Sequence, residues 1–63
     1  MKPSERIIEI VKSEITNDWI NGGGNRHSRE AWDEMIHNDE VLKAQYTITG
    51  IMKYLDEQGS KTL

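Results

Sequence analysis

Apolar residues recur at spacings of three and four along the first third of the chain, at Ile7, Ile8, Val11, Ile15 and Trp19. That period puts them on one stripe of an α-helix, predicted over residues 4–20. Pro3 suits a helix start, Ser4 is the expected N-cap, and Glu5 lies where the helix dipole favours a negative charge. Asn21 and the run Gly22-Gly23-Gly24 end the element, because glycine adopts a left-handed C-terminal conformation without Cβ strain. Ile10 and Ile20 fall off the stripe, about 120° and about 160° from its centre at 100° per residue. Ile10 in particular requires either a further helix or a second subunit beside it.

Ser28 is the expected cap of a second helix over residues 29–37, with Trp32, Met35 and Ile36 on its apolar side. A new stripe then appears at Val41, Ala44, Ile48, Ile51 and Leu55, pointing in nearly the opposite direction. Between the two lies His37-Asn38-Asp39-Glu40, which is good start chemistry and poor helix-interior chemistry. A break there gives a third helix over residues 39–57. The alternative is one long helix from 29 to 57 gripped on both faces. Tyr46-Thr47-Ile48-Thr49 alternates like a strand, but the helical period runs on through Tyr54 and Leu55, and a lone strand would have nothing to pair with. Gly59 is expected to close the element, leaving residues 59–63 as a frayed tail. The fold class is therefore all-α: one domain over residues 1–63, a helical hairpin or three short helices, with a glycine-rich loop at 21–28.

At 63 residues such a chain buries only about 60% of the surface its unfolded form exposes. Small domains offset that deficit with disulfides, a metal or oligomerisation. The chain has no cysteine, which removes disulfides and thiolate zinc sites. Homodimerisation is the expected remedy, through a seam of Val41, Ala44, Ile48, Ile51 and Leu55 together with the odd face of helix one at Ile10. The seam has coiled-coil spacing but covers barely two heptads, fewer than the three to four that identify a coiled coil. Gly50, elsewhere on this helix, disfavours it by about 1 kcal/mol relative to Ala.

The net charge of −3 argues against broad attraction to nucleic acid. No stretch approaches the roughly 20 apolar residues of a membrane span, and residues 1–6 have no apolar run of the kind a secretion signal carries. A cytoplasmic protein is expected, of a composition common among phage and mobile-element accessory proteins.

The most unusual local chemistry is Gly22-Gly23-Gly24-Asn25-Arg26-His27-Ser28-Arg29, a glycine-rich loop with two guanidiniums and an imidazole entering a helix N-terminus. Asn25, Arg26, His27 and Arg29 there are candidates for contact with an anion or an acidic partner. The plain alternative is a solubilising linker, and no Gly-Lys-Ser/Thr follows to make a nucleotide loop. Trp19 and Trp32 flank the loop and are expected to pack together as core. Exposure of either would make it a contact residue for a partner protein.

Glu34 and His37 have the Glu-x-x-His spacing of helical di-iron sites, which Glu9 or Glu14 could complete in a dimer. With seven glutamates in the chain, that spacing arises by chance about one time in five. A helix-turn-helix built from helices two and three would place Asp39 and Glu40 against phosphates. No nucleophile–base arrangement is visible, and the hydroxyls near helix ends are explained by capping. The sequence thus predicts a non-catalytic binding protein, accessory, regulatory or inhibitory, acting through protein–protein contacts and needing no cofactor. A metal-binding bundle and a small DNA-binding regulator are the alternatives.

Overall fold

A computed structural model of the chain describes residues 2–62, the side chains of 60–62 apart. It is all-α. Helix α1 spans Pro3–Asn21, a single 3-10 turn follows at Gly23–Asn25, and α2 (Arg29–Asn38) and α3 (Glu40–Thr62) complete the chain. No helix among the described residues is long and apolar enough to cross a membrane.

The helix ends follow local chemistry, with three departures from expectation. Helix α1 begins one residue early: Pro3 occupies its first turn and Lys2 the cap position, with no side-chain cap bond from Ser4 or any other residue. Proline's fixed φ and missing N–H make it a ready first residue, so a hydroxyl cap is dispensable. After Asn21, Gly22 closes the helix at φ −166°, which is extended backbone and not the left-handed turn expected of it. Helix α3 passes through Gly59 to Thr62 in place of the frayed tail, and Leu63 lies outside the described residues. A lone glycine weakens a helix by about 1 kcal/mol without stopping it, and no glycine described has positive φ.

The junction at residues 38–40 resolves into two helices. Asp39 is extended (φ −107°, ψ 101°) and its carboxylate accepts the Leu42 N–H at 3.0 Å, capping α3. Ser28 caps α2 in the same way, accepting the Ala31 N–H at 3.1 Å.

Helix α1 packs chiefly on α3. Their contacts pair Arg6 with Glu57, Glu14 with Lys53, Val11 with Gly50 and Asp18 with Tyr46, so the two helices run antiparallel. Gly50 is the point of closest approach. A Cβ built there would lie 2.5 Å from Val11 Cγ2 and 3.4 Å from the Ile7 carbonyl. The glycine that looked like a loss in the sequence is what lets α3 seat on α1.

Ile10 is the correction to the expected dimer seam. It is 8% exposed, at the base of a groove lined by Arg6, Glu14, Lys53 and Glu57. The second neighbour it required is α3 of its own chain, so it has no free face to offer a partner. Ile20, the other residue off the stripe, is 66% exposed. Ile36 of α2 is the other buried apolar side chain among the described residues.

Two measurements test this packing. Gly50→Ala should lower stability by about 1–2 kcal/mol in urea denaturation, because overpacking against a stiff β-branched Val11 outweighs the better helix propensity. Gly59→Ala, whose Cβ meets nothing within 4 Å, should raise it by up to about 1 kcal/mol; gains at both sites would refute the close approach. The Tyr46 hydroxyl, 2.6 Å from the Asp18 carboxylate, is pushed up from 10 to about 12, first by desolvation and then by its hydrogen bond to Asp18 and that group's charge. The folded state therefore favours the neutral phenol. Its contribution is complete below pH 10 and is lost as pH rises from 10 through 12. Thermal melts should show that loss in the wild type and a smaller one in Tyr46→Phe.

Candidate functional site

The residues singled out around the loop come together at one end of the molecule, but mostly as a tied structure. Trp19 is half-buried and its indole N–H donates to the His27 carbonyl at 2.9 Å. Trp32 is likewise half-buried and donates to the Ile15 carbonyl at 3.3 Å, joining α2 to α1. The close ring pair described is His27 on Trp32, with centroids 5.9 Å apart and planes tilted by 33°.

Two of the three glycines, Gly23 and Gly24, acquire a different reason from the one the sequence suggested. A Cβ on Gly23 would sit 2.8 Å from two carbons of the Trp32 ring, and one on Gly24 would sit 3.0 Å from the Trp19 carbonyl and 3.4 Å from its ring. Glycine is needed here for approach to indoles. The backbone closes on itself as well, with the N–H groups of Arg26 and His27 both donating to the Gly23 carbonyl at 3.1 and 2.9 Å.

Of the four polar loop candidates, Arg29 is engaged within the chain. Its guanidinium donates to the Asp33 carboxylate and, at 2.9 Å, to the Thr16 hydroxyl. His27 is half-buried against Trp32, whereas Asn25 and Arg26 are exposed. The surface presented at this end is thus Asn25 and Arg26, held out by a turn that the two indoles fix. The two-guanidinium grip imagined from the sequence would first require Arg29 to leave Asp33 and Thr16.

Glu34 and His37 are both exposed on α2, and no group of three His, Asp or Glu side chains converges among the described residues. The 280 Å³ groove between α1 and α3 is charged, but Arg6 is held by Glu57 and Glu9, and Lys53 by Glu14. Glu57 raises the Arg6 proton affinity further, chiefly through their hydrogen bond. These groups fasten the helix pair to itself.

The remaining candidates lie on α3 and form the most distinctive surface of the molecule. Val41 is 71% exposed, Ile48 56%, Ile51 40% and Leu55 61%, with Ala44 exposed beside them. Met52, 65% exposed, extends the same face and was missed because the three-four spacing skips it. At 100° per residue the centre of this face lies roughly 170° from the centre of the side that meets α1. The side toward α1 carries Tyr46, Gly50, Lys53 and Glu57. The helix turns Gly50 and several polar residues toward α1, keeps Leu42 and Tyr54 half-buried, and carries its other large apolar residues outward.

Unfolding followed by indole fluorescence distinguishes frame from surface at the loop. Gly23→Ala should cost about 1–3 kcal/mol, because a rigid ring must move. Arg26→Glu should stay within about 0.5 kcal/mol of wild type, as an exposed substitution does. A destabilising Arg26→Glu would assign Arg26 to the frame. In comparisons with known proteins, the chain matches no family model, no curated protein and no solved structure.

Proposed function

We propose that this chain is a non-catalytic binding protein that acts through protein–protein contacts. The observation that carries the reading is the outward apolar face of α3. Monomeric proteins rarely expose contiguous apolar patches beyond a few hundred Å², and larger ones mark interaction sites. Five large apolar side chains along α3, each 40–71% exposed, form such a patch on a chain whose own core holds Ile10 and Ile36.

The loop end supplies the second contact in this reading. Asn25 and Arg26 stand on a turn fixed by Trp19 and Trp32, so little backbone freedom is lost when they are bound. Arg26 gives this end a positive charge on an acidic chain, which suits an acidic protein surface. We place the protein in the cytoplasm as part of the same reading, a reducing compartment that fits a chain without cysteine.

The rival readings gain less from the geometry. A metal bundle would need Glu34 and His37 to find further ligands on another molecule. A DNA reader would present the N-terminus of α3, where Asp39 caps the helix and Glu40 opens it, and both carboxylates would face phosphates. Three of the hydroxyls that a catalytic reading would recruit have structural partners: Ser28 caps α2, Thr16 accepts from Arg29, and Thr47 donates to the Lys43 carbonyl.

A photo-reactive residue placed singly at positions 48, 26 and 12 in the full chain, irradiated in the cells that express it, tests the proposal. Position 48 should give protein adducts, position 26 a second set, and Lys12, exposed on α1, neither. Equal or absent labelling at all three positions would overturn the reading.

A further inference from the structure

We infer that the apolar face of α3 is covered by α3 of a second copy of this chain. The inference rests on the proposed protein-contact function and specifies the occupant of its main surface.

The shape of the face comes first. Val41, Ala44, Ile48, Ile51 and Leu55 follow the alternating three-four spacing of a helix–helix seam, and the run from 41 to 55 is about 21 Å long at 1.5 Å per residue. A narrow stripe of that length accepts another helix along it. Ala44 allows the partner backbone to come close.

Charge then selects which helix. Between Val41 and Gly59 the charged residues are Lys43, Lys53, Asp56 and Glu57. Lys53 and Glu57 turn toward α1, where Glu14 and Arg6 hold them. Lys43 and Asp56 project more than about 90° from the centre of the stripe at 100° per residue. The flanks of the stripe are instead Gln45, Thr47, Met52 and Gln58, with Glu40 at its N-terminal end the one charge that borders it. Copies of a chain carrying −3 repel one another, and this strip, with Glu40 as its one bordering charge, lets two meet with few like charges opposed. A lipid surface would select for Lys or Arg bordering the apolar face, as amphipathic membrane helices carry, and this border has none.

The dimensions also agree. The chain exposes 4927 Å², against about 4,200 Å² for a compact monomer of its mass. Its radius of gyration is 13.0 Å, against about 10.6 Å for a compact domain of this length. The surplus belongs to an elongated chain, 42 × 22 × 19 Å, whose helices lie side by side with outer faces uncovered.

Sedimentation equilibrium of the full chain from micromolar to hundreds of micromolar concentration is the test. The wild type should be a dimer in the upper part of that range. Ile48→Glu should weaken self-association by at least about 100-fold, because it would bury an unpaired carboxylate, while Ile20→Glu, at a still more exposed isoleucine on α1, should leave it unchanged. Because the chain has no cysteine, Ile48→Cys provides a covalent check that does not rely on a destabilising variant. Mild oxidation should give a disulfide-linked dimer far faster than Ile20→Cys does. A wild type that remains monomeric, or isoleucine variants that behave alike at the two positions, would overturn the inference. A monomer that still gives adducts to another protein from position 48 overturns this inference alone, and a monomer without adducts ends the proposed function too.

Discussion

Helix α3 can lie against α1 only because position 50 has no side chain. Its backbone comes so near Val11 that a methyl group would overlap that side chain and touch the Ile7 carbonyl, and this contact fixes the rotation of α3 about its own axis. Once Gly50 faces inward, helical geometry leaves no freedom for the rest. Tyr46 reaches Asp18, Lys53 reaches Glu14 and Glu57 reaches Arg6, all within the same sector. Val41, Ile48, Ile51, Met52 and Leu55 are carried to the opposite side. The exposed apolar face is the geometric complement of a glycine contact.

The loop uses the same device. Gly23 and Gly24 let the chain pass against the flat faces of Trp32 and Trp19, and the two indole N–H groups then reach carbonyls in the loop and in α1. Buried indoles ordinarily find a hydrogen-bond partner, and here the partners they find are backbone groups that position the connection between α1 and α2. The same two indoles order the loop and tie α2 to α1.

Periodicity made the three helices legible, since it reports direction about a helix's own axis. The break at Asp39 was legible because a short acceptor before a helix competes for the backbone N–H groups that follow it, as Asp39 does with Leu42. What stands opposite a given direction was not legible. Ile10 showed only that a neighbour was needed, and α3 of the same chain and a second subunit satisfied that requirement equally. Gly50 was read through propensity alone, although a lone glycine inside a helical run also signals close approach of another backbone. A left-handed turn is the commonest use of glycine at a helix end, whereas for Gly23 and Gly24 the neighbours in space, two tryptophans, determine the role. Arg29 looked available as an anion ligand because its acceptors, Asp33 one turn on and Thr16 on the preceding helix, are identified only by the fold.

Energetics connect this architecture to association. Ile10 and Ile36 are the buried apolar side chains described, and burying such a side chain fully is worth about 1.5–3 kcal/mol each. The ion pairs across α1 and α3 lie at the surface, where such contacts contribute about 0–1 kcal/mol each. Both are modest, and the half-buried Ile7, Val11, Ile15, Trp19, Trp32 and Leu42 carry the rest of the apolar contact between the helices. The largest unused reserve is the apolar area on α3, and it becomes available only when something covers it. Any partner that binds the folded state and not the unfolded one adds RT ln(1 + [L]/Kd) to stability. Because the face extends along the same helix that closes on α1, whatever covers it also stabilises that closure, so folding and binding draw on a single surface.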